Sequence, residues 1–322
     1  MSNNIEKPIE KRKVIILGSG PAGLSAALYA ARAELDPLVL TGMALHGQAA
    51  TTDTIENYPG FPEGIGGTEL GMLFQTQAER FGAEIRMDQA TSIDLSARPL
   101  IVNTYSQQYA ADSLIITTGA DPKKLNVPGE KEYTGRGVSY CGTCDGWFFK
   151  DKDIVVVGGG DSALEESLFL TRFARSVTII HRRDELRGSA ILQSRAFENP
   201  KIKFIWDTVV TEIIGNSGVE AVRIKSVKTG EERVKETQGA FVFIGHRPNS
   251  AMFTGQLALD DKGYIVTNHL METSVPGVFA AGEIADPHFR QVITSAGMGA
   301  AAAIQATRYI ENLEAEQMPS NG

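Results

Sequence analysis

Val14-Ile15-Ile16-Leu17 runs directly into Gly18-Ser19-Gly20-Pro21-Ala22-Gly23, and Ile154-Val155-Val156-Val157 runs in the same way into Gly158-Gly159-Gly160-Asp161-Ser162-Ala163. Both apolar runs have the length and β-branched content of a buried strand. A helix is expected after each, over residues 24–32 in the first copy and to about residue 172 in the second. Strand, Gly-x-Gly-x-x-Gly/Ala, helix is the dinucleotide-binding fingerprint in the context it requires. The first glycine permits the tight turn, and the second lets a pyrophosphate come up to the backbone. The third, or its Ala substitute, lets helix pack on strand, with the phosphate at the helix N-terminus. One such turn is a weak signal, since a turn without ligand looks the same. Two copies, each opening a βα unit, make nucleotide binding the reading for both.

The closing strands repeat as well. Ser113-Leu114-Ile115-Ile116-Thr117-Thr118-Gly119 and Ala240-Phe241-Val242-Phe243-Ile244-Gly245 are apolar runs that end in Gly and meet Pro122 and Pro248 soon after. A third, Val278-Phe279-Ala280-Ala281-Gly282, precedes a long Ala-rich helix over about residues 295–312. The economical arrangement places one nucleotide domain, residues 125–248, inside a discontinuous one made of residues 1–124 and 249–322. The fold class expected is α/β, two Rossmann-like three-layer domains, one inserted into the other.

Composition narrows the function classes. The 322 residues are 42% hydrophobic and 22% charged, near the globular average, which excludes general disorder. With 39 acidic and 31 basic side chains the net charge is −8, which argues against sequence-blind nucleic-acid binding. No apolar run approaches the roughly 20 residues that span a bilayer. Residues 1–13 are polar and charged, unlike a signal peptide. A cytoplasmic protein is the expectation. Glycine, at 33 residues, is enriched after apolar runs, where backbone meets ligand.

The end of the second strand of each unit tells which nucleotide it holds. In the inserted unit, Val177-Thr178-Ile179-Ile180 ends in His181-Arg182-Arg183, with Arg187 following. Guanidiniums at this position suit a 2′-phosphate, because they are planar, permanently charged and bidentate. NADPH is therefore expected, against the plainer reading of a solvated basic stretch partly balanced by Asp184 and Glu185. In the outer unit the corresponding strand ends in Thr41-Gly42 without a carboxylate. The pattern alone leaves FAD and a second nicotinamide nucleotide open there.

Only two cysteines exist, in Cys141-Gly142-Thr143-Cys144-Asp145-Gly146. A structural zinc would need two further ligands at suitable spacing, and the five histidines are unpaired, so no metal is expected. A reversible disulfide fits the spacing better than two inert core thiols. Asp145 could then exchange a proton with a departing thiolate, although an Asp-Gly turn residue is the plainer alternative. Trp147-Phe148-Phe149 beside the motif are ordinarily core residues, with contact to a partner as the other reading.

These stretches together resemble bacterial-type, low-molecular-weight thioredoxin reductases of the pyridine nucleotide-disulfide oxidoreductase class. The matches extend to Gly47-Gln48, Glu56-Asn57-Tyr58-Pro59-Gly60, Gly245-His246-Arg247-Pro248-Asn249, Arg290-Gln291-Val292 and Thr294-Ser295-Ala296-Gly297. The resemblance implies FAD in the outer domain, held by Gly18, Ser19, Gly20, Pro21, Ala22, Gly23, Thr41, Gly42, Gln48, Asn57, Ile93, Gly282, Glu283, Arg290, Gln291 and Val292. For NADPH it implies Gly158, Gly160, Asp161, Ser162, Ala163, His181, Arg182, Arg183, Arg187 and Gly245. It also implies a homodimer, a Cys141–Cys144 disulfide with Cys144 toward the flavin, attack by Cys141 on thioredoxin, and Asp145 as proton donor and acceptor. The inserted domain is expected to swivel near residues 118–121 and 245–249, and Trp147 and Phe148 to touch thioredoxin.

Departures from that pattern are Glu283 for the usual Asp, and His46 for the first Gly of Gly-Gly-Gln, which brings a titratable ring toward the cofactor. Ala49-Ala50 interrupts a Thr-rich run, Gly142 replaces the common Ala, and Trp147 begins the aromatic pair. A flavin-dependent dithiol oxidase using oxygen, a ferredoxin-fed reductase and a non-catalytic flavin sensor compete. The arginine cluster counts against the first two, Asp145 stands where such oxidases tend to carry His, and the sensor need not keep both dithiol and NADPH determinants.

Overall fold

The computed structural model describes residues 9–52 and 54–317. Residues 1–8 of the polar start and residues 318–322 of the polar tail lie outside them. Six α-helices occur in order among the described residues: α1 (Pro21–Arg32), α2 (Gly67–Arg80), α3 (Gly142–Asp145), α4 (Asp161–Leu170), α5 (Ala190–Glu198) and α6 (Val292–Gln317). The chain divides into two compact units, one of residues 1–121 with 247–322, the other of residues 122–246. The crossings thus fall two to three residues before the positions expected from sequence.

The first unit is built on a parallel sheet. Its strands run in the order Glu84–Arg86, Leu38–Leu40, Ile9–Leu17 and Gln108–Ile116, and Val278–Ala280 also pairs with the last of these. An antiparallel pair, Leu100–Thr104 and Ala90–Asp94, extends the other edge. Alternation along the strands fills both faces, which is what makes the unit three-layered. Ile15, Leu17, Leu38, Leu40, Leu114 and Ile116 face a cluster with Leu100, Phe253 and Ile265. Val14, Ile16, Val39 and Ile115 face α1 and α6 through Ala26, Ala27, Ala30, Ala302, Ala303 and Ala306. Small residues let the two helices close up: a Cβ on Gly299 would come within 2.0 Å of the Ala22 carbonyl oxygen. The last helix is longer than expected at both ends. Its polar end, rich in good helix formers, continues to Gln317, and Glu314 pairs with Lys13 at 2.7 Å.

The second unit repeats the plan. Its strands are all parallel, in the order Ile202–Ile205, Ser176–Ile180, Asp153–Gly158, Ala240–Phe243 and Val138–Ser139. Ile154, Val156, Val177, Ile179, Phe241 and Phe243 face the helix side, with Leu164, Leu170, Leu192 and Ala196. Val155, Val157, Ile180 and Val242 face an antiparallel sheet of Thr208–Gly215, Val219–Ser226 and Glu232–Glu236. The two crossing strands, Ala120–Pro122 and His246–Pro248, pair with each other.

Candidate functional site

In both units the glycine-rich turn leaves the central strand at the point where the chain order reverses, the usual ligand crevice of an open parallel sheet. In the first unit Gly18 has φ +109°, and a Cβ there would stand 2.5 Å from the Thr117 carbonyl oxygen. A Cβ on Gly23 would meet the Gly18 carbonyl oxygen at 1.9 Å. The middle glycine differs: a Cβ on Gly20 would find only the Cα of Gly47, at 3.9 Å. Space is therefore kept clear over backbone where a ligand approaches. Helix α1 starts at Pro21 with no side-chain cap and no acidic residue in its first turn, so its positive end is left for an anion. These features fit a dinucleotide.

The other candidates of this unit are placed by loops. Ser19 is buried and accepts the His46 N–H at 3.2 Å. Thr41 donates from its hydroxyl to the Gly42 carbonyl at 2.8 Å. Gln48 donates to the Ala120 carbonyl and to Asp121 Oδ1. Asn57 Nδ2 donates to Gln291 Oε1 at 3.1 Å, bringing together residues far apart in the chain. Val292 opens α6 and packs with Ile55, Ile65 and Leu70. Gly282 stands at φ +77° against Ala22 of the fingerprint helix. Ile93 is a core residue on the antiparallel pair.

Asp286 was not singled out by sequence, yet it shapes this loop. It is buried and accepts backbone N–H groups from His288, Phe289 and Arg290 at 2.9, 3.0 and 3.2 Å. The Asp-Pro dipeptide is the signal that could have found it. Burial pushes the Glu283 carboxyl up to about 7; Arg290 opposes the shift, and Asp286 and Asp121 add to it. The His46 ring turns to α2, where Nε2 lies 2.8 Å from Gln75 Oε1. Gly71 makes the room, since a Cβ there would stand 2.4 Å from His46 Cβ.

The second fingerprint repeats the first. Gly158 has φ +154°, and its Cβ would stand 2.4 Å from the Phe243 carbonyl oxygen, while Gly160 opens onto space with nothing within 4 Å. Ala163 is fully buried at the packing position. Gly159 has no Cβ because the His181 ring occupies that volume, at 2.4 Å. His181 is buried, its Nε2 has no hydrogen-bond partner, and burial first, then Arg187, lowers its pKa, so the ring is neutral. Arg187 N–H donates to the Gly159 carbonyl at 2.7 Å, tying the arginine loop to the fingerprint. Asp161 Oδ1 accepts the Ser189 N–H at 2.7 Å, and Ser162 follows it in the first turn of α4. Arg182, Arg183 and Arg187 are exposed, and among the described residues no ion pair joins them to a carboxylate. Asp184 pairs with Lys228 instead, at 3.0 Å. Gly245, at φ +104°, accepts the Lys123 N–H at 2.9 Å. An unopposed basic cluster beside an open glycine turn fits a phosphorylated nucleotide.

The dithiol lies in the same unit. Cys141 and Cys144 form a disulfide with Cα atoms 5.3 Å apart, and Cys141 Sγ accepts the Cys144 N–H at 3.2 Å. Ser139, another residue not foreseen, organises this loop. Its hydroxyl donates to Asp145 Oδ2 at 2.5 Å and accepts the Cys141 N–H at 3.1 Å. A lone Ser two residues before a Cys carries no pattern. Buried Glu130 accepts the N–H groups of Leu125 and Asn126 and the Tyr140 hydroxyl, which fixes the residue preceding Cys141. Burial, then the Glu130 charge, pushes the Tyr140 hydroxyl well above its usual range, so it stays a donor. Trp147 and Phe148 are exposed, 54% and 42%, and Phe149 is core.

This constellation defines a class. Residues 12–300 match the family of pyridine nucleotide-disulphide oxidoreductases. The chain is 49% identical over 312 residues to the thioredoxin reductase of Streptomyces clavuligerus, covering 95% of this chain and 97% of that one. The crystal structure of thioredoxin reductase from Streptococcus pyogenes superposes with a TM-score of 0.90 at 44% identity, covering 95% of this chain and 100% of that one. Lactococcus lactis thioredoxin reductase in its FR conformation, also 44% identical, superposes at 0.64, with 94% and 99% covered. The chain belongs to the thioredoxin reductases within the pyridine nucleotide-disulphide oxidoreductase family. Among the described residues no helix is long and apolar enough to cross a membrane.

Proposed function

We propose that the chain passes electrons from NADPH, through FAD and the Cys141–Cys144 disulfide, to the disulfide of thioredoxin. The observation that carries this reading is one chain holding two open glycine cradles, an unopposed arginine cluster at one of them, and a formed disulfide. The bound cofactors supply two-electron chemistry, hydride from NADPH and its acceptance and onward passage by FAD.

The first cradle, Gly18 to Gly23 with Thr41, Gly42, Gln48, Asn57 and the 282–292 segment, would hold FAD. The second, Gly158 to Ala163 with His181, Arg182, Arg183, Arg187 and Gly245, would hold NADPH.

The chain's own residues complete the reaction. Reducing the Cys141–Cys144 bond takes two electrons and two protons and leaves two thiols. Asp145, oriented by Ser139, gives a proton to the departing thiolate and takes one back in the return direction. Cys141 then attacks a thioredoxin sulfur, forming a mixed disulfide and expelling a thiolate. Cys144 attacks Cys141 in turn, re-forming the internal bond and releasing reduced thioredoxin. The Cys144 N–H on Cys141 Sγ supports the attacking role, because a hydrogen bond favours the thiolate. Trp147 and Phe148 would meet the partner.

A swivel of the second unit about the paired crossings, near residues 118–121 and 245–249, belongs to this reading. Two solved relatives of equal identity superpose at 0.90 and 0.64, which supports more than one whole-molecule arrangement among thioredoxin reductases. A homodimer is supported by exposed apolar side chains of the first unit, Met43, Leu45, Met72 and Leu73. A dithiol that must cycle through its reduced state fits the cytoplasm.

The test is trapping of the mixed disulfide. Reduced Cys144→Ser protein is expected to form a covalent adduct with thioredoxin in which one of the two cysteines is Ser and the other is held as a mixed disulfide with an aromatic thiol, which leaves on attack, and Cys141→Ser is not. An adduct with neither variant would overturn the reading.

A further inference from the structure

The departure at Gly142 acquires a reason in the structure. A Cβ on this residue, between the two cysteines, would stand 2.2 Å from Glu166 Oε2 and 3.4 Å from Leu170 Cγ. Both neighbours belong to α4, the helix that starts at the open glycine of the second fingerprint. Glu166 Oε2 is itself buried. A carboxyl oxygen is thus packed against the backbone of the redox loop at a distance that the alanine methyl common in this family would deny it.

We infer that Glu166 is ionised and sets the ionisation and redox potential of the Cys141–Cys144 dithiol, and that Gly142 is the opening through which its charge reaches it. The inference rests on the thioredoxin reductase reading for the dithiol's role. The charged and titratable side chains on the elements packed here are Asp145 of α3, Asp161, Glu165 and Glu166 of α4, and Lys150, whose ammonium lies 5.4 Å over the Trp147 ring. Tyr140 precedes the loop and is held protonated by burial and then by the Glu130 charge. Of these, Asp145 is oriented by the Ser139 hydroxyl and is the same in every variant compared, and Glu166 is placed against the backbone of Gly142, the residue after Cys141.

A negative charge beside a thiol disfavours its thiolate and raises its pKa. Reduction adds two electrons and two protons to the disulfide. Above the thiol pKa the reduced form carries a thiolate, so a nearby carboxylate then disfavours reduction and lowers the potential. The glycine strengthens that influence, and an alanine would weaken it by pushing the flexible Glu166 side chain away.

The experiment follows alkylation of the reduced holoprotein against pH, with the disulfide potential measured in thiol–disulfide buffers above the midpoint. Glu166→Gln keeps shape and removes charge. It is expected to lower the midpoint by about half to one unit, a roughly threefold to tenfold gain in thiolate below it. The potential is expected to rise accordingly, a tenfold change being about 30 mV. Gly142→Ala is expected to shift both in the same direction by less, and to add nothing in the Glu166→Gln background. A Glu166→Gln protein that retains flavin and wild-type thermal stability but has an unchanged midpoint and potential would overturn the inference. So would a Gly142→Ala shift that persists undiminished in the double variant. Neither readout involves NADPH or thioredoxin, so failure of the reading, scored by turnover of the wild type with both, is a separate result.

Discussion

At the scale of single side chains, the proposed choice of nucleotide in the second unit rests on Arg182, Arg183 and Arg187. They are exposed, and the nearest acid in sequence, Asp184, is engaged by Lys228. Replacing Arg182 and Arg183 by Ala is expected to weaken NADPH binding about a hundredfold while changing NADH binding little, since only the former offers a 2′-phosphate. Equilibrium titration with both nucleotides checks it. Glu283 makes a second prediction. Its carboxyl, raised by burial from 4.5 to about 7, keeps its proton when folded over a range where the unfolded chain has lost it. Stability therefore falls as pH rises from about 4.5 to about 7, by on the order of 3 kcal/mol in flavin-free protein. Thermal melts across that window should show a smaller decline for Glu283→Gln; an identical decline would contradict the assignment. The arginines were legible because their place after the second strand is fixed by the motif. Asp286 and Ser139 were not, because each acts through hydrogen bonds in a loop, and one Asp or Ser carries no periodicity.

The strand–turn–helix element was the most legible part of the chain, because its requirements are local. Gly18 and Gly158 need a positive φ and no Cβ, Gly23 and Ala163 need a small side chain, and both needs of each copy are written within one decapeptide. The structure separates the middle glycine from the others, which sequence spacing alone cannot do. Gly20→Ala and Gly160→Ala add a methyl where no protein atom stands closer than 3.9 Å. Both variants should fold with near wild-type melting temperatures and lose at least tenfold affinity, Gly20→Ala for FAD and Gly160→Ala for NADPH. Gly23→Ala, whose methyl would stand 1.9 Å from the Gly18 carbonyl oxygen, should fail to fold. Circular dichroism melts with nucleotide titrations check all three, and a Gly20→Ala protein with full FAD affinity would remove the cradle's reason. The direction of the His46 ring was illegible, since it is set by a gap at Gly71 on a helix distant in sequence.

At the scale of the molecule, an insertion was legible because the closing strands repeat, but the exact crossings were not, because Pro122 and Pro248 mark a neighbourhood rather than a bond. Residues 122–246 form one continuous segment whose ends leave through paired strands. Expressed alone, this segment is expected to unfold in one cooperative transition and to bind NADPH without flavin. A segment that binds no NADPH when folded would contradict assignment of that nucleotide to this unit. The central claim, electron flow from NADPH to thioredoxin, is tested most directly in one anaerobic cuvette holding the purified yellow protein. NADPH is added first and oxidised thioredoxin second, while flavin absorbance is followed. Bleaching by NADPH and recovery of the flavin band with appearance of thioredoxin thiols is the predicted result. A flavin that does not bleach with NADPH, or that stays bleached when thioredoxin is added, would contradict it.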